Sequence, residues 1–163
     1  MVTAEKIERT ALRNLLHNED YTRKVLPFLK PEYFQDRSER VVFTEIQKFI
    51  SQYNKRPTKE TLQIDLGKRK DLNEDEYKQI VSLITSLNPE DVDLDWLVNT
   101  TEKFCKDRAV HNAVMEGIHI LDGKDKKQNP EAIPEILRDA LSVSFDNAVG
   151  HDYLLDIEKR FDY

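Results

Sequence analysis

Apolar residues recur at helical spacing along most of the chain. Ile7, Ala11, Leu12, Leu15 and Leu16 share one face of a helix predicted over residues 3–17. Thr3 is its candidate cap, although Lys6 stands where a capping box wants Glu. After the break at Asn18, the pattern predicts a short helix over 20–29, with Tyr21, Val25, Phe28 and Leu29 inward and Pro27 bending or ending it. The stretch from Pro31 reads as a single turn plugged by Tyr33 and Phe34. A wide stripe of Val42, Phe43, Ile46, Phe49, Ile50 and Tyr53 predicts a helix over 37–53. Thr58 is a candidate cap for a short helix carrying Leu62, Ile64 and Leu66, closed by Gly67. Asn73 and Glu76 have capping-box spacing and open a helix through Leu87, with Tyr77, Ile80, Val81, Ile84 and Leu87 inward.

The second half reads differently. Asp93 or Asp95 can cap a helix from about Trp96 to Leu121, roughly 40 Å at 1.5 Å per residue. Its apolar positions, Leu97, Thr101 and Phe104 followed by Val110, Val114, Ile118 and Leu121, change phase midway. One end is expected to pack on the preceding helices and the other to face something else. A polar loop over 122–129 leads to a helix that starts between Pro130 and Pro134 and runs to about Phe145. Ile133, Ile136, Leu137, Ala140, Leu141 and Val143 make it apolar on more than one face. Two helices joined by a short loop form an antiparallel hairpin, and this one would leave apolar surface in water, which marks an association site. Val110, Val114, Ile118 and Leu121 with Ile136, Ala140 and Leu141 are the candidate oligomer interface. The alternative is that all seven are intramolecular core. A last amphipathic segment carries Tyr153, Leu154, Ile157 and Phe161. The fold class is therefore all-α: a compact multi-helix head over 1–92, a long antiparallel helical hairpin over 93–145 and a C-terminal segment over 146–163.

Composition supports the helices and narrows the chemistry. Only 4 Gly and 6 Pro occur in 163 residues, while 34% of residues are charged, which disfavours a turn-rich β protein. The net charge of −6 disfavours non-specific DNA binding, which needs clustered Lys and Arg. The single cysteine, Cys105, can form neither an internal disulfide nor a thiolate metal site and reads as a core residue. No apolar run approaches a membrane span, and the N-terminus is not a signal peptide.

Catalytic motifs do not emerge. The nearest approach to a phosphate-binding loop, Gly117 to Gly123-Lys124, has the wrong spacing, ends in Asp125 and lies in a helical pattern. Glu116 and His119 have the spacing of carboxylate-bridged di-metal bundles, but no second such motif exists. His17, His111 and His151 show no ligand spacing. Basic clusters at Arg37–Arg40, Lys68–Lys70 and Lys124–Lys127 are short and carry acids within or beside them. No aromatics interleave with them to strengthen a nucleic-acid reading.

Certain residues nonetheless form a recognisable set. They are the opening helix Ile7–Leu16, Val25-Leu-Pro-Phe28, Glu32-Tyr-Phe34, the helix Val41–Ile50 and Pro57-Thr58 with Thr61-Leu62. Asp95-Trp-Leu-Val98, Arg108-Ala109, the run Ala132–Phe145 and Val149-Gly-His-Asp152 extend it. Together they resemble the N-terminal domain of the DnaB-like hexameric replicative helicases, in the T4-type bacteriophage branch.

The resemblance implies a non-catalytic collar. Heads and hairpins pair into dimers, and three dimers close a hexamer. It also implies docking of primase and of the helicase loader, contact with DNA only through the full-length ring, and action in the cytoplasm of a bacterial host. The segment around Tyr153, Leu154, Ile157 and Phe161 then becomes an interdomain linker that packs on a neighbouring subunit's motor domain. That motor, with its P-loop, is expected to be absent from this chain. No cofactor is therefore expected here, and ATP and Mg belong to the motor. Three competing expectations are the helicase-binding domain of a primase, a free-standing nucleic-acid-binding helical protein, and a metal enzyme using Glu116 and His119. The first is disfavoured because residues 144–152 continue into a linker.

Overall fold

A computed structural model describes residues 4–145, and every regular element among them is helical. The order is α1 (Ala4–His17), α2 (Glu19–Val25), α3 (Arg37–Tyr53), α4 (Lys59–Gly67), α5 (Glu74–Ser86), α6 (Leu94–Leu121) and α7 (Ile133–Leu141). Single 3-10 turns fall at Leu26–Phe28, Pro31–Tyr33 and Pro130–Ala132. The chain divides into two compact units, Met1–Thr101 and Glu102–Tyr163. The first ends inside α6, so the opening turns of that helix belong with the helices before it.

Polar caps set the helix boundaries of the first unit. The side chains of Asn18, Asp36, Thr58 and Asn73 accept from the backbone N–H groups of Tyr21, Glu39, Thr61 and Glu76. Each satisfies a donor that the first helical turn leaves without a partner. At Asn73 the box is complete, because Glu76 accepts from the Asn73 N–H at 3.3 Å. Replacing Asn73 with Ala removes one arm of this box. We expect a loss of about 1 kcal/mol, read as a lowered denaturation midpoint with an unchanged m-value.

The core of this unit lies along α3, which packs on α1 and on α5, with Leu12, Leu15, Phe43, Ile46, Ile80 and Ile84 buried. Phe34 stacks on Phe43 with ring centroids 4.9 Å apart. Tyr21 donates its buried hydroxyl to Thr101 Oγ1 at 2.7 Å, while Thr101 donates to the Leu97 carbonyl at 2.8 Å. That pair ties α2 to the start of α6.

Several side chains depart from the sequence reading. Phe28 is only half-buried, because Pro27 converts the end of α2 into a 3-10 turn. Tyr53 and Ile64 are 54% and 61% exposed: Tyr53 sits in the last turn of α3, and Ile64 points away from the buried Leu62 and Leu66. Gly67 ends α4 without a left-handed turn. Its need is closeness, since a Cβ there would stand 3.3 Å from the Tyr77 hydroxyl. The left-handed cap belongs instead to Asn54, at φ 55°.

The core also holds carboxylates. Glu8 and Glu39 are almost fully buried, and Arg9 Nε donates to Glu39 at 3.2 Å. Burial, reinforced by the neighbouring Glu8, pushes the Glu39 carboxyl up to about 8 against the opposing pull of Arg9. In the unfolded chain the same group ionises near 4.5. The folded protein therefore keeps a proton that the unfolded chain releases between those values. The stabilising contribution is complete below the lower value and is lost as pH rises to the upper one. We expect denaturant stability to fall by about 1 kcal/mol per pH unit across this window, and Glu39→Gln to flatten the profile.

Candidate functional site

The second unit contains most of α6, the loop after it and α7. Around α6, buried and exposed apolar residues form two different stripes. The buried one is small: Ala109, Ala113 and Gly117, with Ile120 at its end. Small side chains let the following chain come close, and a Cβ on Gly117 would lie 3.6 Å from Ile133 Cγ2. At the other end, Glu102 accepts from the Phe145 N–H at 2.8 Å and from the Ser144 hydroxyl at 3.3 Å. Residue 117 thus neighbours 133 while 102 neighbours 144–145, an opposed chain order.

The exposed stripe is large and apolar. Val114, Met115, Ile118 and Leu121 are 45%, 40%, 43% and 68% exposed, and Leu141 on α7 is 73% exposed. It lies roughly 100° around the helix from the buried one, at 3.6 residues per turn. Of the seven residues proposed from sequence as an interface, Val114, Ile118, Leu121 and Leu141 are exposed, Val110 and Ile136 are half-buried, and Ala140 is buried. The sequence pattern did not single out Met115, which stands about 100° around the helix from Val114, nor the small buried stripe, whose residues carry little hydrophobic signal. The set Tyr153, Leu154, Ile157 and Phe161 lies outside the described residues.

Helix α7 is shorter than the apolar pattern indicated. It stops at Leu141 rather than near Phe145, where the Ser142 hydroxyl and N–H both bond back to the Asp139 carbonyl. Such local bonds compete with helix continuation.

The loop between the helices is built from its own polar groups. Gly123, at φ 75°, turns the chain out of α6, and the His119 carbonyl accepts from the N–H groups of Lys124 and Asp125. Gln128 donates to Glu116 at 2.9 Å and to Asp125 at 3.2 Å. Glu116 is thereby engaged in holding the loop. Among the described residues no cluster of three or more His, Cys, Asp or Glu is placed to hold a metal. Cys105 is buried, and burial together with nearby Glu102 pushes its thiol up to about 12. It is therefore not a thiolate at neutral pH.

These features describe a helical module whose distinguishing surface is an uncovered apolar stripe. Comparison with known proteins gives its class. The DnaB-like helicase N-terminal domain family matches residues 2–95, and the chain belongs to that family. A DnaB-like replicative helicase of Enterobacteria phage T4 is 35% identical over 158 residues, which span 92% of this chain and 33% of the relative. The chain thus covers about a third of that helicase's length and corresponds to its N-terminal, non-catalytic part. No helix among the described residues is long and apolar enough to cross a membrane.

Proposed function

We propose that the chain is the collar module of a phage replicative helicase, assembling with copies of itself and docking primase and the helicase loader. The observation that carries the assembly half is the row of Val114, Met115, Ile118 and Leu121, each at least 40% exposed. Four large apolar side chains in water on one helix favour burial against a like surface. An interface between two copies is self-complementary, and two helix pairs meeting through such stripes form a four-helix bundle. Three such dimers then close a six-membered ring. Val110, Ile136, Ala140 and Leu141 complete the proposed interface.

In this reading ATP, Mg and strand separation belong to the motor domain of the full-length helicase. DNA is met only by the ring, and the work is done in the host cytoplasm. Tyr153, Leu154, Ile157 and Phe161 carry the linker contact to a neighbouring subunit. The acidic balance of the chain, −6 overall, supports a protein-docking role over free-standing nucleic-acid binding.

Sedimentation velocity of the chain mixed with the primase of the same replication system tests the docking half. Co-sedimentation is expected. Separate boundaries, with the chain still self-associated, would remove primase docking and leave assembly standing.

A further inference from the structure

Two grooves flank the C-terminal end of α3 within the first unit. One, of about 320 Å³, runs between α3 and α4 and carries Phe49 and Tyr53, whose rings sit 4.7 Å apart. The other, of about 360 Å³, runs between α3 and the turn after α2 and carries Leu26, Pro27 and Ile50. Tyr53 lines the first groove, and the next two residues, Asn54 and Lys55, line the second. The chain therefore turns from one groove into the other at the left-handed Asn54.

Charge distinguishes this region from the rest of the chain. Arg23, Lys48, Lys55, Arg56, Lys68 and Arg69 line the two grooves, against only Glu19, Glu45 and Asp65. A surface with six cations and three acids stands on a protein of net charge −6. The acids are already engaged. Glu19 pairs with Arg23 at 3.2 Å, Glu45 with Arg69 at 3.5 Å and Asp65 with Lys68 at 4.0 Å. Lys48 and Lys55 are exposed and form no ion pair with any described residue.

We propose that this end of the head docks an acidic, amphipathic segment of a partner protein. Its carboxylates meet Lys48 and Lys55. Its apolar side chains lie on Phe49 and Tyr53 in one groove and on Leu26, Pro27 and Ile50 in the other. Exposed cations interspersed with apolar side chains are complementary to alternating acidic and apolar side chains. A nucleic-acid backbone fits less well, because a run of phosphates brings no apolar side chains to cover Leu26, Pro27 and Ile50. The proposal deepens the docking half of the reading above and is independent of the apolar stripe on α6.

The probe is a fluorescein-labelled peptide of about twelve residues, alternating Asp and Glu with Leu and Phe. Anisotropy is read on the intact chain. The double variant Lys48→Glu with Lys55→Glu is expected to weaken binding by about 10-fold or more, and added salt to weaken it further. Both lysines are exposed, so the circular dichroism and the self-associated mass stay unchanged. Absence of peptide binding would overturn the proposal, as would equal affinity in the variant or equal binding of a peptide with Lys in place of the acids. Tighter binding of a thymidine oligonucleotide than of the peptide would reassign the surface to nucleic acid. Any of these results with the chain still self-associated leaves the assembly reading intact.

Discussion

Under the proposed assembly, Ile118→Asp is expected to give a monomer of 19.2 kDa without unfolding it. Ile118 sits at the middle of the exposed stripe, one helical turn from Val114 and three residues from Leu121. In a self-complementary pairing the change acts on both copies. It removes two apolar side chains from the contact and buries two carboxylates that have no partner. Loss of a central anchor costs roughly 2–4 kcal/mol, equivalent to about 30- to 1,000-fold in dissociation constant. The monomer itself is little affected, because Ile118 is 43% exposed before any partner arrives. Sizing with light scattering reads the association, and circular dichroism reads the fold. Ala113→Asp is the contrasting change. Ala113 belongs to the buried stripe, so a carboxylate there is expected to destabilise the second unit itself.

The largest stability effect is expected from Phe43→Ala. Phe43 is fully buried on α3, and its ring stacks on Phe34 at 4.9 Å. Truncation removes the transfer energy of the ring and leaves a cavity where α3 meets its neighbours, a loss of about 3–5 kcal/mol. A domain of this size has only about 5–15 kcal/mol in hand, so the urea midpoint should move far to the left. Phe43→Leu preserves most of the volume and should cost under about 1.5 kcal/mol once the site repacks. A small effect of the alanine would mean that the Phe34–Phe43 pair is not the centre of the head.

Much of this architecture is legible in the residues themselves. Asn73 with Glu76, and Thr58 with the helix after it, announce their helix starts because the capping chemistry is local. The stripe through Val42, Phe43 and Ile46 marks the buried side of α3 for the same reason: one face, one period. Legibility fails where the outcome depends on what stands opposite. Tyr53 shares the α3 stripe, yet it stands in the last turn of the helix and lines an open groove beside α4, 54% exposed. Ile64 lies between Leu62 and Leu66 in sequence, but two residues along a helix is a rotation of roughly 200°, so it faces water.

The second unit repeats the lesson with small residues. Ala109, Ala113 and Gly117 carry little hydrophobic signal, yet all three are buried, and Gly117 allows the approach of Ile133. Their burial leaves the bulkier Val114, Ile118 and Leu121 outside. Of the two cationic grooves, only the short basic cluster Lys68–Lys70 is visible in the sequence. Lys68-Arg-Lys70 stands with no aromatic nearby in the chain, and folding places Phe49 and Tyr53 of α3 in one groove with Lys68 and Arg69, just past the end of α4.

The absolute mass in solution, by light scattering on a sizing column over a concentration series, tests the central claim most directly. Pairing through the α6 stripe predicts 38.4 kDa, twice the 19.2 kDa of one chain, and a self-sufficient ring predicts 115.2 kDa, six times that mass. A strict monomer of 19.2 kDa at the highest concentration would contradict the claim that this domain assembles through its own apolar surface.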